Sequence, residues 1–184
     1  RAMRDRHWAS LQRVCEAEEP VDVTNPTFSL NNLIEVGVQD HADDVEEIIE
    51  IANKELKVDR KLKDIAIIWK KLNLVYKAHK GTEIMLVNVT DDIIEALEDN
   101  QLELQTMIGM GKFVDHFRSE VEDWQGKLGD VESVLKEWTA VSKQWAALET
   151  IFLGSADIRA QLPEDTKRFE AIDSQFKDLC KSTE

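Results

Sequence analysis

The sequence predicts a mainly α fold, an elongated helical bundle carrying one small β-hairpin insert. Three observations predict it. Taken every seventh residue, Met110, Phe117, Trp124, Val131, Trp138, Trp145 and Phe152 form a column of large apolar side chains. At about 100° of rotation per residue, such a column makes a nearly continuous ridge along one helix. Stretches before it, from Asp40 to Trp69 and from Ile93 to Ile108, repeat apolar residues with a 3.6-residue period. Between those two stretches, over Leu72 to Asn88, the period changes to two.

Residues 1–40 are the least regular and read as irregular chain with short helix. Met3 to Cys15 places Trp8, Leu11 and Val14 on one face. Pro20 and Pro26 forbid a helix across Glu19 to Asn25, because proline lacks the amide donor and restricts its predecessor. Phe28 to Leu33 reads as an apolar peg or a short helical turn. Residues 41–69 hold helices. Val45, Ile48, Ile49, Ala52 and Leu56 share a face as far as about Lys57, and Leu62, Ile65, Ile68 and Trp69 form a second apolar stretch. Asp40 is placed as an N-cap, with Asp43 and Asp44 near the positive helix end.

Residues 70–88 read as the hairpin. Leu72, Leu74 and Tyr76 alternate with Asn73, Val75 and Lys77, His79-Lys80-Gly81 supplies a turn, and Glu83 to Asn88 is a β-prone run. A lone hairpin is marginal in water, so it is expected to pack on helices. Residues 90–109 form the next helix, capped by Thr90-Asp91-Asp92, with Ile93, Ile94, Leu97, Leu104, Met107 and Ile108 as its buried stripe. Gly109 and Gly111 bracket its end. Residues 111–153 form the long tryptophan-rich helix, roughly 60 Å if about 40 residues long. Val114, Val121, Leu128 and Leu135, then Val134, Val141 and Leu148, flank its column, and Gly154 ends it. After a short turn or helix over Ser155 to Leu162, Pro163 starts the last helix, 163–181, whose face is Phe169, Ile172, Phe176 and Leu179. Tryptophan at heptad spacing suits a bundle better than a two-stranded coiled coil, whose seam takes Leu, Ile and Val.

The charge balance narrows the function classes. Net charge is −14, from 37 acidic and 23 basic residues. An acidic surface disfavours nucleic acid and anionic lipid alike, and no apolar run reaches the 18 or so residues of a membrane span. Cys15 and Cys180 lie near opposite ends without metal or disulfide spacing, which fits a reducing compartment. The chain opens at Arg1 without an initiator Met or signal-peptide pattern, and closes on Lys181-Ser182-Thr183-Glu184. An excised internal segment of a longer protein is expected.

No motif carries catalysis. Gly109-Met110-Gly111-Lys112 suggests a phosphate loop only superficially: position 106 is not Gly and position 113 is Phe, so the amide cradle and the magnesium-binding hydroxyl are missing. A helix joint is the better reading. His7, His41, His79 and His116 are scattered, none at ligand spacing to another His or Cys. Asp40-His41-Ala42-Asp43-Asp44 is better read as capping than as a metal loop. Ser and Cys lack a neighbouring histidine base, and Glu46 with Glu50 is a solvated face. Asn88-Val89-Thr90 fits a glycosylation sequon but reads as a strand end followed by a helix cap. Catalytic, cofactor and metal residues are therefore expected to be absent from this segment.

One run of residues carries a resemblance. Trp138 and Trp145-Ala146-Ala147-Leu148-Glu149-Thr150-Ile151-Phe152 are followed by Asp157-Ile158-Arg159-Ala160-Gln161-Leu162-Pro163-Glu164 and by Phe169, Ile172 and Asp173. Upstream stand Arg6-His7-Trp8, Leu97-Glu98-Asp99-Asn100 and Leu104-Gln105-Thr106-Met107. In order and spacing the whole chain, 1–184, resembles a single fragment of the linker region of dynein heavy chains (N-terminal region 2). The wording of Asp157 to Glu164 is most similar to axonemal outer-arm chains of the beta type. Gly109-Met110-Gly111 is more glycine-rich than that family's joint, and Ala156 stands where an acidic residue is commoner.

The resemblance implies an elongated helical arch lying across the AAA+ ring of the same polypeptide, bent and straightened as the ring binds and hydrolyses ATP. It implies that ATP and magnesium belong to ring modules outside this segment. Its implied partners are that ring, neighbouring linker subdomains and other dynein subunits, with no nucleic acid and no membrane. The implied location is the cytoplasmic cytoskeleton, in the axoneme of a cilium or flagellum. The rival reading from the residues alone is a spectrin-like helical scaffold that binds partner proteins.

Overall fold

The computed structural model describes residues 2–17 and 21–183. These form two compact units, residues 1–67 with 103–123 and residues 68–102 with 124–184. Among the described residues the fold is mainly α with one two-stranded antiparallel sheet, as the periodicities predict. The part of the proline bar that falls on Glu19 and Pro20 lies outside the described residues.

The first unit opens with α1, Asp5–Val14, which buries His7 and Leu11 one turn apart. A short α2, Leu30–Glu35, takes up the helical one of the two forms read for this stretch. Its start is fixed by the Ser29 amide donating to Asn32 Oδ1 at 2.8 Å. Next comes α3, Ala42–Lys71, one unbroken helix where the sequence suggested two. Nothing between Lys57 and Leu62 interrupts it: Val58-Asp59-Arg60-Lys61 contains neither Gly nor Pro, Val58 is buried, and Asp59 accepts an ion pair from Lys63 one turn on. Its first helical carbonyl is that of His41, which takes the Val45 amide, so the cap falls one residue after Asp40. The buried row runs Ile48, Ala52, Glu55, Val58, Leu62 and Ile65; Ile49, expected on it, is exposed.

The remainder of this unit is the end of α4 (Asp91–Ile108), a 3-10 turn Gly111–Phe117, and the start of α5 (Arg118–Phe152). The long helix therefore begins seven residues later than 111. Gly111 has φ +63°, which stops the α-type ladder at that point. Residues three apart share a face in a 3-10 turn, and Val114 and Phe117 are accordingly both buried. Gly109 does not take a left-handed conformation. It sits close under α4 instead, where a Cβ would meet the Thr106 carbonyl oxygen at 3.3 Å.

In the second unit β1, Val75–Ala78, pairs with β2, Met85–Asn88, in the register Val75↔Asn88 to Ala78↔Met85. The alternation read from Leu72 begins as a strand only at Val75. Lys80 and Gly81 carry φ +49° and +73°, and the Thr82 amide donates to the His79 carbonyl at 2.8 Å. Positive φ at both central positions is what a type I′ turn requires. On α4, Ile93 and Leu97 are buried but Ile94 is exposed, since one position on a helix turns the side chain by about 100°.

Along α5 the flanking columns separate. Leu128 is buried and Leu135 half-buried, whereas Val134, Val141 and Leu148 are exposed. Of the heptad column in this unit, Trp145 is buried and Trp124, Val131, Trp138 and Phe152 are half-buried. Gly154 follows the helix without positive φ. It is needed because a Cβ there would overlap the Thr150 carbonyl oxygen. The short α6, Ala156–Gln161, is capped by Ser155, and α7, Pro163–Ser182, starts on its proline. The buried residues of α7 are Thr166, Phe169, Phe176 and Cys180; Ile172 and Leu179, expected on that face, are exposed. Trp145, Phe169, Phe176 and Cys180 form the core here, with Ile84 and Leu86 of the hairpin region packed against it.

Candidate functional site

Among the described residues, a buried or half-buried cluster of titratable side chains stands in each unit, built from residues far apart in sequence. In the first unit His7 of α1 and Glu55 of α3 are both buried, with Nε2 and Oε2 2.9 Å apart. The Arg4 amide donates to His7 Nδ1 at 3.0 Å. An acceptor at Nδ1 fixes the proton on Nε2, so the neutral ring donates to Glu55 and both nitrogens are satisfied. Burial is the main cause holding the His7 pKa below 6.5; Glu55 pulls it up, while Arg6 and Arg4 push it further down. Arg6 also pairs with Glu55, and Arg4 pairs with Asp59 at 2.9 Å. The Lys63 hydrogen bond holds the Asp59 carboxyl below its usual range, with the Arg4 charge adding. Both arginines lie over the Phe117 ring, at 5.7 and 6.0 Å from its centre.

In the second unit the hairpin turn is tied to α5. His79 Nε2 lies 2.7 Å from Glu149 Oε2, and Lys80 donates to the same oxygen at 2.9 Å and to Thr150 Oγ1 at 2.9 Å. Burial acts to raise the Glu149 pKa, but the bonds from His79 and Lys80 prevail and hold it low. The His79 ring lies 4.6 Å from that of Trp145, which meets Phe176 at 4.7 Å. Trp145 Nε1 donates to Asp173 Oδ1 at 3.0 Å, and Lys177 holds the other oxygen of that carboxylate at 2.7 Å. Tyr76 of β1 reaches the Thr183 carbonyl at 2.5 Å.

These clusters are ties between elements. His7 has no ring nitrogen left for a substrate, and the carboxylates of Glu55, Asp59, Glu149 and Asp173 each accept from a cation or ring within their own unit. The sequence reading missed both pairs because the partners are 48 and 70 residues apart. One signal was available for the first: Glu55 interrupts the apolar row from Ile48 to Ile65, and a carboxylate on such a row needs a buried partner.

The remaining candidates are separate from these clusters. Lys112, after the glycine pair, forms an ion pair with Glu47, and the joint leads into the 3-10 turn. Glu50 pairs with Lys54 one turn on at 2.7 Å. His116 meets Phe117 edge-on, and Asn88 is exposed at the end of β2. Cys15 and Cys180 are buried free thiols whose pKa values are raised, by burial in both cases and by Asp44 as well at Cys15. Among the described residues no three His, Cys, Asp or Glu side chains gather as a metal ion would need, and no helix is long and apolar enough to cross a membrane.

The described residues thus form a mainly helical segment whose clustered titratable groups pair with one another across elements. The sequence profile described as "Dynein heavy chain, N-terminal region 2" matches residues 1–184. The chain is 38% identical over 183 residues to "Dynein beta chain, ciliary" of Tripneustes gratilla, covering 100% of this chain and 4% of that protein. It is 39% identical over 178 residues to "Dynein axonemal heavy chain 17" of Mus musculus, covering 97% and 4%. It is 38% identical over 184 residues to "Dynein beta chain, flagellar outer arm" of Chlamydomonas reinhardtii, covering 98% and 4%. The chain belongs to the dynein heavy chain family, as a match to its N-terminal region 2, and spans about 4% of the length of these relatives.

Proposed function

We propose that this chain is a non-catalytic mechanical linker element of a dynein heavy chain, remodelled by ATP turnover over the AAA+ ring in microtubule-based movement of a cilium or flagellum. The match of all 184 residues to the N-terminal region of the heavy-chain family carries the reading. It also weighs against the spectrin-like scaffold. The names of its relatives, ciliary and flagellar dynein chains, support an axonemal setting. In this reading ATP and magnesium are held by the ring outside the segment, and the partners are the ring, neighbouring linker subdomains and other dynein subunits. The chemistry found here agrees: buried polar groups are spent on tying helices together, which suits an element that passes on displacement.

The test is a heavy-chain motor carrying Trp145→Ala, compared with its parent for ATPase and for microtubule gliding. A lever element predicts slowed gliding with most of the ATPase retained. ATP hydrolysis by the isolated 184-residue chain, or unchanged gliding in a variant shown to have lost its local packing, would overturn the reading.

A further inference from the structure

The strongest unassigned feature lies in the second unit. An open apolar groove of about 400 Å³ is lined by Trp69, Leu72, Leu74, Ile93, Val131 and Leu135, with Val134 on its edge. The apolar surface does not stop at the groove: Val134, Val141 and Leu148 of α5 follow at seven-residue steps, all exposed. From Val131 to Leu148 the track is about 26 Å long at 1.5 Å per residue. On the helical projection this line borders the Trp138 and Trp145 face, and Asp130 and Glu137 lie within about 60° of Val134 on its outer side. Asp130 also lines the groove itself.

We propose that this track is the docking surface for a partner polypeptide that presents an amphipathic helix, apolar at seven-residue steps and flanked by Lys or Arg. The seven-residue spacing matches a helix laid lengthwise on α5, the usual helix-in-groove arrangement. The acidic edge selects the charge of the occupant. A second copy of this chain fits poorly. Pairing the track with itself antiparallel brings the Asp130 and Glu137 rows together, and either orientation joins molecules of net charge −14.

The test uses a labelled 21-residue helical peptide of Leu and Lys, apolar at those steps, titrated into the chain. Binding is expected to weaken about tenfold or more on Val134→Asp or Val141→Asp, each verified as folded by circular dichroism. It should hold for Ile172→Asp, an exposed position on α7, and Glu137→Lys should weaken it and flatten its salt dependence. Equal binding to every variant would mean diffuse charge attraction and would overturn the proposal. So would a concentration-dependent dimer that Val141→Asp abolishes. In the assembled dynein, a photo-cross-linker at position 141 should capture another subunit; capture of the same heavy chain would overturn the assignment to a partner. None of these binding outcomes depends on the lever reading.

Discussion

His79 in the hairpin turn and Glu149 on α5 are 70 residues apart in sequence and 2.7 Å apart in space. Together with Lys80 they make Glu149 the fastening point of the turn. Glu149→Ala leaves His79 half-buried with no acceptor, at a cost of about 1–3 kcal/mol. Hydrogen exchange should quicken at the strand amides from Tyr76 to Val87 while α1 keeps its protection. A uniform change across both units would refute the fastening role.

Trp145 joins its core by two separable means, the ring against Phe176 and the indole N–H on Asp173. Trp145→Phe keeps most of the ring contact and should cost about 1–2 kcal/mol, chiefly through the lost bond to Asp173 Oδ1, while Lys177 still pairs with the other oxygen. Trp145→Ala also opens a cavity and should cost about 3–5 kcal/mol. Urea unfolding of the two variants measures the gap, and equal losses would mean that the bond to Asp173 dominates.

Acid should weaken the first unit through His7. Burial holds its folded pKa below 6.5, so the unfolded chain takes up the proton first as pH falls. The stability His7 contributes is fully present above about pH 6.5 and is lost progressively as pH drops below it. Protonation at Nδ1 also removes the acceptor of the Arg4 amide, the bond that starts α1. Urea midpoints at about pH 7.5 and about pH 5.5 should differ less in His7→Gln than in the parent. Equal differences would place the acid sensitivity elsewhere.

Gly126 inside α5 and Gly154 just after it should respond in opposite directions. Gly154→Ala forces a Cβ onto the Thr150 carbonyl and should cost roughly 1–3 kcal/mol. Gly126 has nothing within 4 Å of an added Cβ and lies inside the helix, so Gly126→Ala should stabilise by about 0.5–1 kcal/mol. Thermal unfolding distinguishes them, and a destabilising Gly126→Ala would contradict the open space described there.

The helices were legible because apolar period and proline or glycine punctuation are local. The 3.6-residue rows located α3, α4 and α7, and the change to a period of two located the hairpin. Which side of each row is buried was less legible: Ile49, Ile94, Ile172 and Leu179 stand beside the buried line and are exposed. Apolar identity marks a face about 100° wide, and the neighbouring element decides where within it burial falls. The join of two expected helices into α3 was missed because Val58 to Lys61 is charged, though nothing in it breaks a helix. The polar ties were beyond local reading, since His7 with Glu55 and His79 with Glu149 exist only once the chain has folded.

Cys15 belongs to the first unit and Cys180 to the second, and both are buried with their thiols held in the protonated form. A thiol reagent reaches Cys180, 1% exposed, only when its surroundings open, whereas Cys15, 9% exposed, borders an open groove. The second unit thus carries a native chemical clock. The Cys180 labelling rate, read by mass spectrometry against the faster one at Cys15, times the opening of that unit without any engineered probe.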